Sequence, residues 1–286
     1  MEFPIKELPA GEFPVGLREI PQPPQQLNYR GQLPPSDLKL LSIVGSRKYT
    51  TYGKQVVEEL VAGLASHPVG IISGLALGID SLAHEAALAN HLYTLAIPGG
   101  GLSDQSLYPA SHRQLAFRIL ESNGGLLSEF EPTFKATKWS FPQRNRLVAG
   151  ISQATLLVEA GEKSGTLITA RLTADYNREL LVVPGSIFSK NSLGTHQFLK
   201  LGATPVTTSQ DILEILNISD NTPPATIPIL LSPAEQSVID QLNEPTHRDE
   251  LIRKINLQTH EASQLLMMME LAGHIKSEQN IYRSCR

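Results

Sequence analysis

The sequence predicts an α/β protein: an extended Rossmann-like parallel sheet with helices on both faces, followed by a small C-terminal winged-helix domain. Three observations predict it. Short apolar runs alternate with stretches of helical period between residues 38 and 216, the pattern of a parallel sheet covered on both sides. Glycine-rich turns recur where those runs end, which is where such sheets meet ligands. Beyond a proline-bearing stretch, three short helical segments and a hairpin follow.

Taken in order, residues 1–36 hold eight of the twenty prolines together with Gln22, Gln25 and Gln26. They read as an extended arm lying on a domain rather than as a fold of their own. The main domain is expected over 37–216. Its apolar runs cover 40–44, 69–72, 93–97, 126–127, 155–158 and 180–183, with helical stretches at 53–66, 79–90 and 166–177 among them. Residues 217–233 carry four prolines among Asn, Thr and Ser, and the linker is placed at 217–228. Helices are expected at 233–242, 248–255 and 261–271, with Gly273 as a stop and a hairpin over 274–282, giving a winged helix over 229–286.

Composition narrows the function classes. A length of 286 residues admits one large domain and a small one. A 41% hydrophobic content supports a sizeable core, and 18% charged residues argue against disorder. Cys285 is the only cysteine, so neither a disulfide framework nor a zinc cluster can form within the chain, which points to a reducing compartment. Residues 1–10 show no apolar signal core, and no apolar run reaches the ~18 residues of a membrane span. A soluble, cytoplasmic protein is expected. The net charge is −4, so any nucleic-acid affinity must come from a local basic surface.

Four loops carry anion-binding chemistry. Val44-Gly45-Ser46-Arg47 combines a tight turn, a hydroxyl and a guanidinium fork. Ser73-Gly74-Leu75-Ala76-Leu77-Gly78-Ile79-Asp80 opens a helix, Pro98-Gly99-Gly100-Gly101 ends the third run, and Ser164-Gly165-Thr166 opens a later helix. Each alone is ordinary turn chemistry. Several on one sheet edge point to a phosphate-bearing ligand, because helix N-termini present N–H groups and partial positive charge there.

A second feature spans 132–147. It holds Lys135, Lys138, Arg144 and Arg146 with no acidic residue, interleaved with Phe134, Phe141 and Trp139, the only tryptophan. Cations follow backbone phosphates while exposed bases stack on rings at about 1–3 kcal/mol each, so the mixture suits single-stranded nucleic acid. The alternative is a basic surface loop whose aromatics are buried.

Catalytic patterns fail. There is no Gly-x4-Gly-Lys-Ser/Thr loop. His84-Glu85 begins a zinc-protease pattern, but position 88 is leucine. Asp80 and His84 lie four apart on one helix face, which fits a structural contact better than a metal. The serine of Gly161-Glu162-Lys163-Ser164-Gly165 is not centred as a nucleophile elbow requires. No metal, cofactor or catalytic residue is expected.

Together these segments resemble the DprA/Smf family. The resemblance runs through Val44-Gly45-Ser46-Arg47, Tyr52-Gly53, Ser73-Gly74-Leu75-Ala76, Gly78-Ile79-Asp80, Ala83-His84, Tyr108-Pro109 and Leu127-Ser128-Glu129. Its strongest piece is Phe141-Pro142-Gln143-Arg144-Asn145-Arg146. Glu159-Ala160, Ser164-Gly165-Thr166-Leu167-Ile168-Thr169-Ala170, Val183-Pro184-Gly185 and Gly202-Ala203 follow. It covers residues 12–216, without the helical domain that longer members place ahead of the arm. The resemblance implies a dimer that binds single-stranded DNA, and a role in natural transformation: protecting incoming strands and loading the RecA recombinase onto them. It implies no catalysis. By position, Arg47 and Lys138 resemble the family's main phosphate-binding cations. Gly45, Ser46, Ser73, Gly74, Arg144, Asn145, Arg146, Ser164, Gly165 and Thr166 would join them, with Phe134, Trp139 and Phe141 as stacking candidates.

Two rivals remain. A phosphoribohydrolase-like nucleotide-processing enzyme would carry Pro-Gly-Gly-x-Gly-Thr-x-x-Glu, but Thr169 stands where its glutamate should be. A transcription regulator would read duplex DNA through the winged helix. Residues 229–286 carry six basic and eight acidic side chains, and the third helix holds Glu261 and Glu270 without Lys or Arg. Met267, Met268 and Met269 suit an adaptable protein contact instead.

Overall fold

The computed structural model describes residues 3–218, 232–242, 246–255, 257–271, 274–278 and 281–284. The chain divides into two compact units, Met1–Asp220 and Asn221–Arg286.

The first unit is built on a nine-stranded sheet. Its strands are β1 Ile5–Leu8, β2 Leu27–Gly31, β3 Lys39–Val44, β4 Val69–Ser73, β5 Tyr93–Ala96, β6 Gly125–Ser128, β7 Ala154–Leu157, β8 Glu179–Val182 and β9 Thr204–Pro205. Its α-helices are α1 Val15–Arg18, α2 Thr51–Ala62, α3 Ile79–Ala89, α4 Arg113–Glu121, α5 Ser140–Ile151, α6 Thr166–Asp175, α7 Leu193–Lys200 and α8 Ser209–Ile215.

Successive strand residues supply opposite faces, as the pleat requires. Ile43, Ile71 and Leu156 pack with Val57, Leu60, Ile79 and Leu213 on one side. Val44, Ile72 and Leu157 pack with Leu17, Leu147, Leu167 and Phe198 on the other. This explains why the central strands read as continuous apolar runs.

Spatial order is β1-β2-β6-β5-β4-β3-β7-β8-β9. From β3 the chain winds outward in parallel to β6. It then returns through α5 to β7, which pairs with the other side of β3. The direction of winding therefore reverses between β3 and β7. In open α/β sheets that reversal opens a crevice outside the carboxyl ends of the strands.

The proline-rich arm corrects the expectation. It is part of the sheet: β1 pairs antiparallel with β2, and β2 antiparallel with β6. Leu17 and Ile20 are buried. Prolines permit this because Pro4 and Pro9 flank β1 and Pro34 follows β2, leaving the ladder amides intact. The sheet is accordingly mixed, with two antiparallel strands at one edge. Segment 132–147 also contains a helix not foreseen, α5. Its Pro142 sits in the first turn, where no amide hydrogen bond is lost.

The second unit comprises α9 Pro233–Asp240, β10 Thr246–His247, α10 Arg248–Lys254, α11 Thr259–Leu271, β11 Ile275–Glu278 and β12 Ile281–Ser284. The three strands form their own sheet in the order β10-β12-β11. Val238, Leu251, Leu266, Met269 and Tyr282 form its core. Three helices with a terminal hairpin make a winged helix. From residue 219 on, the expected linker lies outside the described residues, as does Gly273. Among the described residues no helix is long and apolar enough to cross a membrane.

Candidate nucleic-acid interface

An open groove of about 620 Å³ lies at the β3/β7 reversal. Val44 ends β3 and residues 45–48 follow it; Gly74 and Ala76 follow β4, with Asp80 in α3; Gly161, residues 163–166, Ile168 and Thr169 come after β7; and α5 supplies Phe141, Pro142, Arg144, Asn145 and Val148.

Hydrogen bonds clip these loops together. Ser46 Oγ donates to Lys48 O at 2.9 Å and accepts the Lys48 amide at 3.0 Å, closing the turn. Thr166 Oγ1 donates to Gly45 O at 2.9 Å, and Asn191 Nδ2 donates to Lys48 O at 2.8 Å. The α3 amide of Ile79 donates to Ser46 O at 3.1 Å. Gly78, before it, has φ of +91°. A side chain there would be strained and would meet the Arg47 backbone, so glycine lets the two loops close on each other.

The floor is a buried polar cluster. Arg144 donates to Gly74 O and Ile97 O. Asp80 Oδ2 accepts the Gly74 amide at 3.1 Å. A Cβ at Gly74 would collide with both Arg144 Nη1 and Asp80 Oδ2, so only glycine fits between them. Burial pushes the Asp80 carboxyl up, against the pull of Arg144 and of the Ala76 and Gly74 amides. Burial lowers Arg144 to about 10, partly offset by Asp80, so it stays protonated at neutral pH.

One turn along α3, His84 is fully buried. Thr94 Oγ1 donates its only hydrogen to Ile71 O at 2.9 Å, so His84 Nδ1 must donate to Thr94 Oγ1 at 2.7 Å. Nε2 then carries a lone pair with no partner. Burial, with smaller effects of His112 and Arg144, lowers His84 to about 3. It is a neutral core histidine. Asp80 and His84 thus have separate partners, and no metal-holding group of His, Cys, Asp or Glu occurs among the described residues.

The rim is different. Arg47, Lys48 and Lys163 are exposed and line the groove. The Arg47 guanidinium lies 5.4 Å over the Phe141 ring, and the Tyr108 ring tilts against the same Phe141 at 5.6 Å. Lys138 and Trp139, just before α5, are both exposed; Lys138 Nζ sits 5.3 Å from the Trp139 ring, which is 74% exposed.

A family model described as DNA recombination-mediator protein A matches residues 7–217. The chain belongs to the DNA recombination-mediator protein A family. The model of the DprA winged helix domain matches residues 221–279. Protein Smf of Escherichia coli is 35% identical over 272 residues, 92% of this chain and 72% of that protein. DNA processing protein DprA of Bacillus subtilis is 38% identical over 211 residues, 72% of this chain and 68% of that protein. Among solved structures, DNA processing protein A from Streptococcus pneumoniae superposes with a TM-score of 0.68 at 35% identity, covering 75% of this chain and 74% of that one. DNA processing protein A from Helicobacter pylori, described for its single-stranded DNA binding mode, superposes at 0.67 with 30% identity, covering 76% and 97%.

Within this family member the expected site residues separate into groups. Gly45, Ser46, Arg47, Gly74, Phe141, Arg144, Asn145, Ser164, Gly165 and Thr166 come together at the groove. Ser73 does not: it is buried and its hydroxyl donates to Ile43 O at 2.6 Å. Arg146 does not either. It pairs with Glu129 and donates to Gln22 O at 2.7 Å, tying α5 to the arm. Lys138, Trp139 and Phe134 lie outside the groove lining, and Phe134 stacks on Phe130 at 4.6 Å.

Sequence reasoning missed Lys48, Lys163 and Asn191. The first two stood beside chosen motif residues and were readable as rim cations. Asn191 reaches the groove only through the fold.

Proposed function

We propose that the groove holds the phosphate backbone of single-stranded DNA. Arg47 is the principal cation, Lys48 and Lys163 flank it, and Lys138 and Trp139 extend the contact. Phe141 and Trp139 offer faces for bases. In this reading the protein, a cytoplasmic homodimer, protects strands taken up in natural transformation and hands them to RecA.

The observation that carries it is Arg47. It is exposed at the groove mouth, makes no ion pair among the described residues, and rests over the Phe141 ring. Its charge reaches the buried Asp80 carboxylate, but that group is committed to Gly74 and Arg144, so the exposed guanidinium keeps its donors for an external anion. The family and the Helicobacter pylori relative's single-strand binding support the same ligand. The groove's carboxylate, Asp80, is buried and committed to Gly74 and Arg144, so it is poorly placed to act as a general base.

The test is a titration with single-stranded and duplex oligonucleotides at several salt concentrations. Contacts to about three to five phosphates give a log–log salt slope of roughly −2 to −3.5 for single strands. Salt-independent affinity, or equal affinity for duplex, would refute the proposal.

A further inference from the structure

The turn between β8 and α7 carries the two most exposed large apolar side chains beside the groove. Phe188 is 91% exposed and Ile187 75%. This turn is braced. Ser186 Oγ accepts the Phe188 amide at 3.2 Å and Ser186 O the Ser189 amide at 3.0 Å. Tyr52 Oη donates to Pro184 O at 2.7 Å, and His196 Nε2 bonds Gly185 O at 3.0 Å. On its other side the turn joins the groove wall: Asn191 lines the groove and holds Lys48 O, while its own carbonyl accepts the Ala160 amide at 2.7 Å. Residues 184–194 contain Lys190 and no acidic residue.

A ring held outward on an ordered turn, next to a cation-rimmed groove, is the arrangement that stacks an unpaired base. We propose that Phe188, backed by Ile187, is a base-stacking platform for a nucleotide flanking those in the groove. This rests on the single-strand reading of the groove. The strand leaves past Asn191, its phosphates within reach of Lys48 and Lys190, and its next base covers Phe188. The platform adds affinity only when the strand is long enough to reach it.

The experiment compares the full chain and its Phe188→Ala and Phe188→Trp variants. Each is titrated with thymidine oligonucleotides of about six and about twenty nucleotides, lengths chosen from the usual footprint of such proteins. Phe188→Ala is expected to weaken the longer oligonucleotide about tenfold and leave the shorter unchanged, with Phe188→Trp restoring the loss. A series of longer oligonucleotides with one abasic position should lower wild-type affinity at one register and leave Phe188→Ala indifferent there.

Equal binding by wild type and Phe188→Ala at both lengths overturns the proposal, as does equal loss at both. A change in sedimentation of the DNA-free protein on Phe188→Ala also overturns it, making the turn a contact between copies. Arg47→Ala separates the two levels. It must weaken both lengths; if it weakens neither, the groove reading fails and the platform fails with it.

Discussion

At the floor of the groove, Arg144 is 4% exposed and its guanidinium is spent on two backbone carbonyls beside Asp80. At the rim, Arg47 is exposed and rests on Phe141. The two line one groove and are committed differently. A buried cation with fixed acceptors holds loops in register. An exposed one that makes no ion pair among the described residues is free to meet a ligand. A basic motif therefore divides into architecture and binding according to what each cation already touches.

The sharpest way to break this comparison is Arg144→Gln. Removing the guanidinium strands the buried Asp80 and leaves Gly74 O and Ile97 O without their donor. The expected loss is about 3–5 kcal/mol of stability, read from chemical denaturation, with DNA binding falling only as the fold fails. A stable variant with weak DNA binding would move Arg144 into the ligand contacts.

Arg47→Ala should do the reverse. Loss of a charged hydrogen bond to phosphate costs about tenfold to a hundredfold in affinity, while the denaturation midpoint barely moves because the exposed Arg47 side chain makes no hydrogen bond or ion pair among the described residues. If Lys138 shares its phosphate, combining Arg47→Ala with Lys138→Ala costs less than the sum. Wild-type affinity in Arg47→Ala with an unchanged midpoint would place the DNA elsewhere.

Beneath the floor, one turn along α3, His84 carries a pH signature. Unfolded, His84 takes a proton near pH 6.5; folded, it stays neutral down to about 3. Between those values the unfolded chain binds one proton more. Stability is therefore lost as pH falls from 6.5, at about 1.4 kcal/mol per pH unit from this group. His84→Gln keeps a hydrogen-bonding group facing Thr94 and removes the titration. The difference in stability between the two proteins should shrink or reverse between pH 7 and pH 5. Parallel pH curves would show that His84 titrates normally.

How much of this was legible follows the physics of each element. Strands β3 to β8 announced themselves because strands buried on both faces have no polar alternation to confuse them. Strands β1 and β2 did not: they lie between prolines, and β2 mixes Leu27 with Asn28, Tyr29 and Arg30. β2 is placed by pairing with β6, a partner roughly a hundred residues away in sequence, and β1 by pairing with β2. At the site, Arg47, Ser46 and Thr166 were readable because loop position alone puts them at strand ends. Arg144 and Arg146 were readable as a motif but not as a role. Whether an arginine faces solvent, a carbonyl or a glutamate depends on how α5 packs, a helix that the apolar pattern does not announce.

The smallest effect is expected from removing the winged helix. The unit Asn221–Arg286 has its own core and its own capped first helix, where Ser232 and Glu235 exchange hydrogen bonds. Its electrostatics are poor for DNA: residues 229–286 carry six basic and eight acidic side chains. On α11, Glu261, Gln264, Met267 and Met268 are exposed, and no Lys or Arg occurs from Thr259 to Leu271. Non-specific affinity comes chiefly from phosphate neutralisation, so this helix has little to offer a duplex. A chain ending at Asp220 should keep single-strand affinity within about threefold of the full protein, a difference under ~1 kcal/mol, provided its oligomeric state is unchanged by sedimentation. The isolated unit 221–286 should bind neither single nor double strands in the same titration. Tight duplex binding by that unit would reverse the comparison, making the winged helix the DNA reader and leaving the Arg47 groove to another anion.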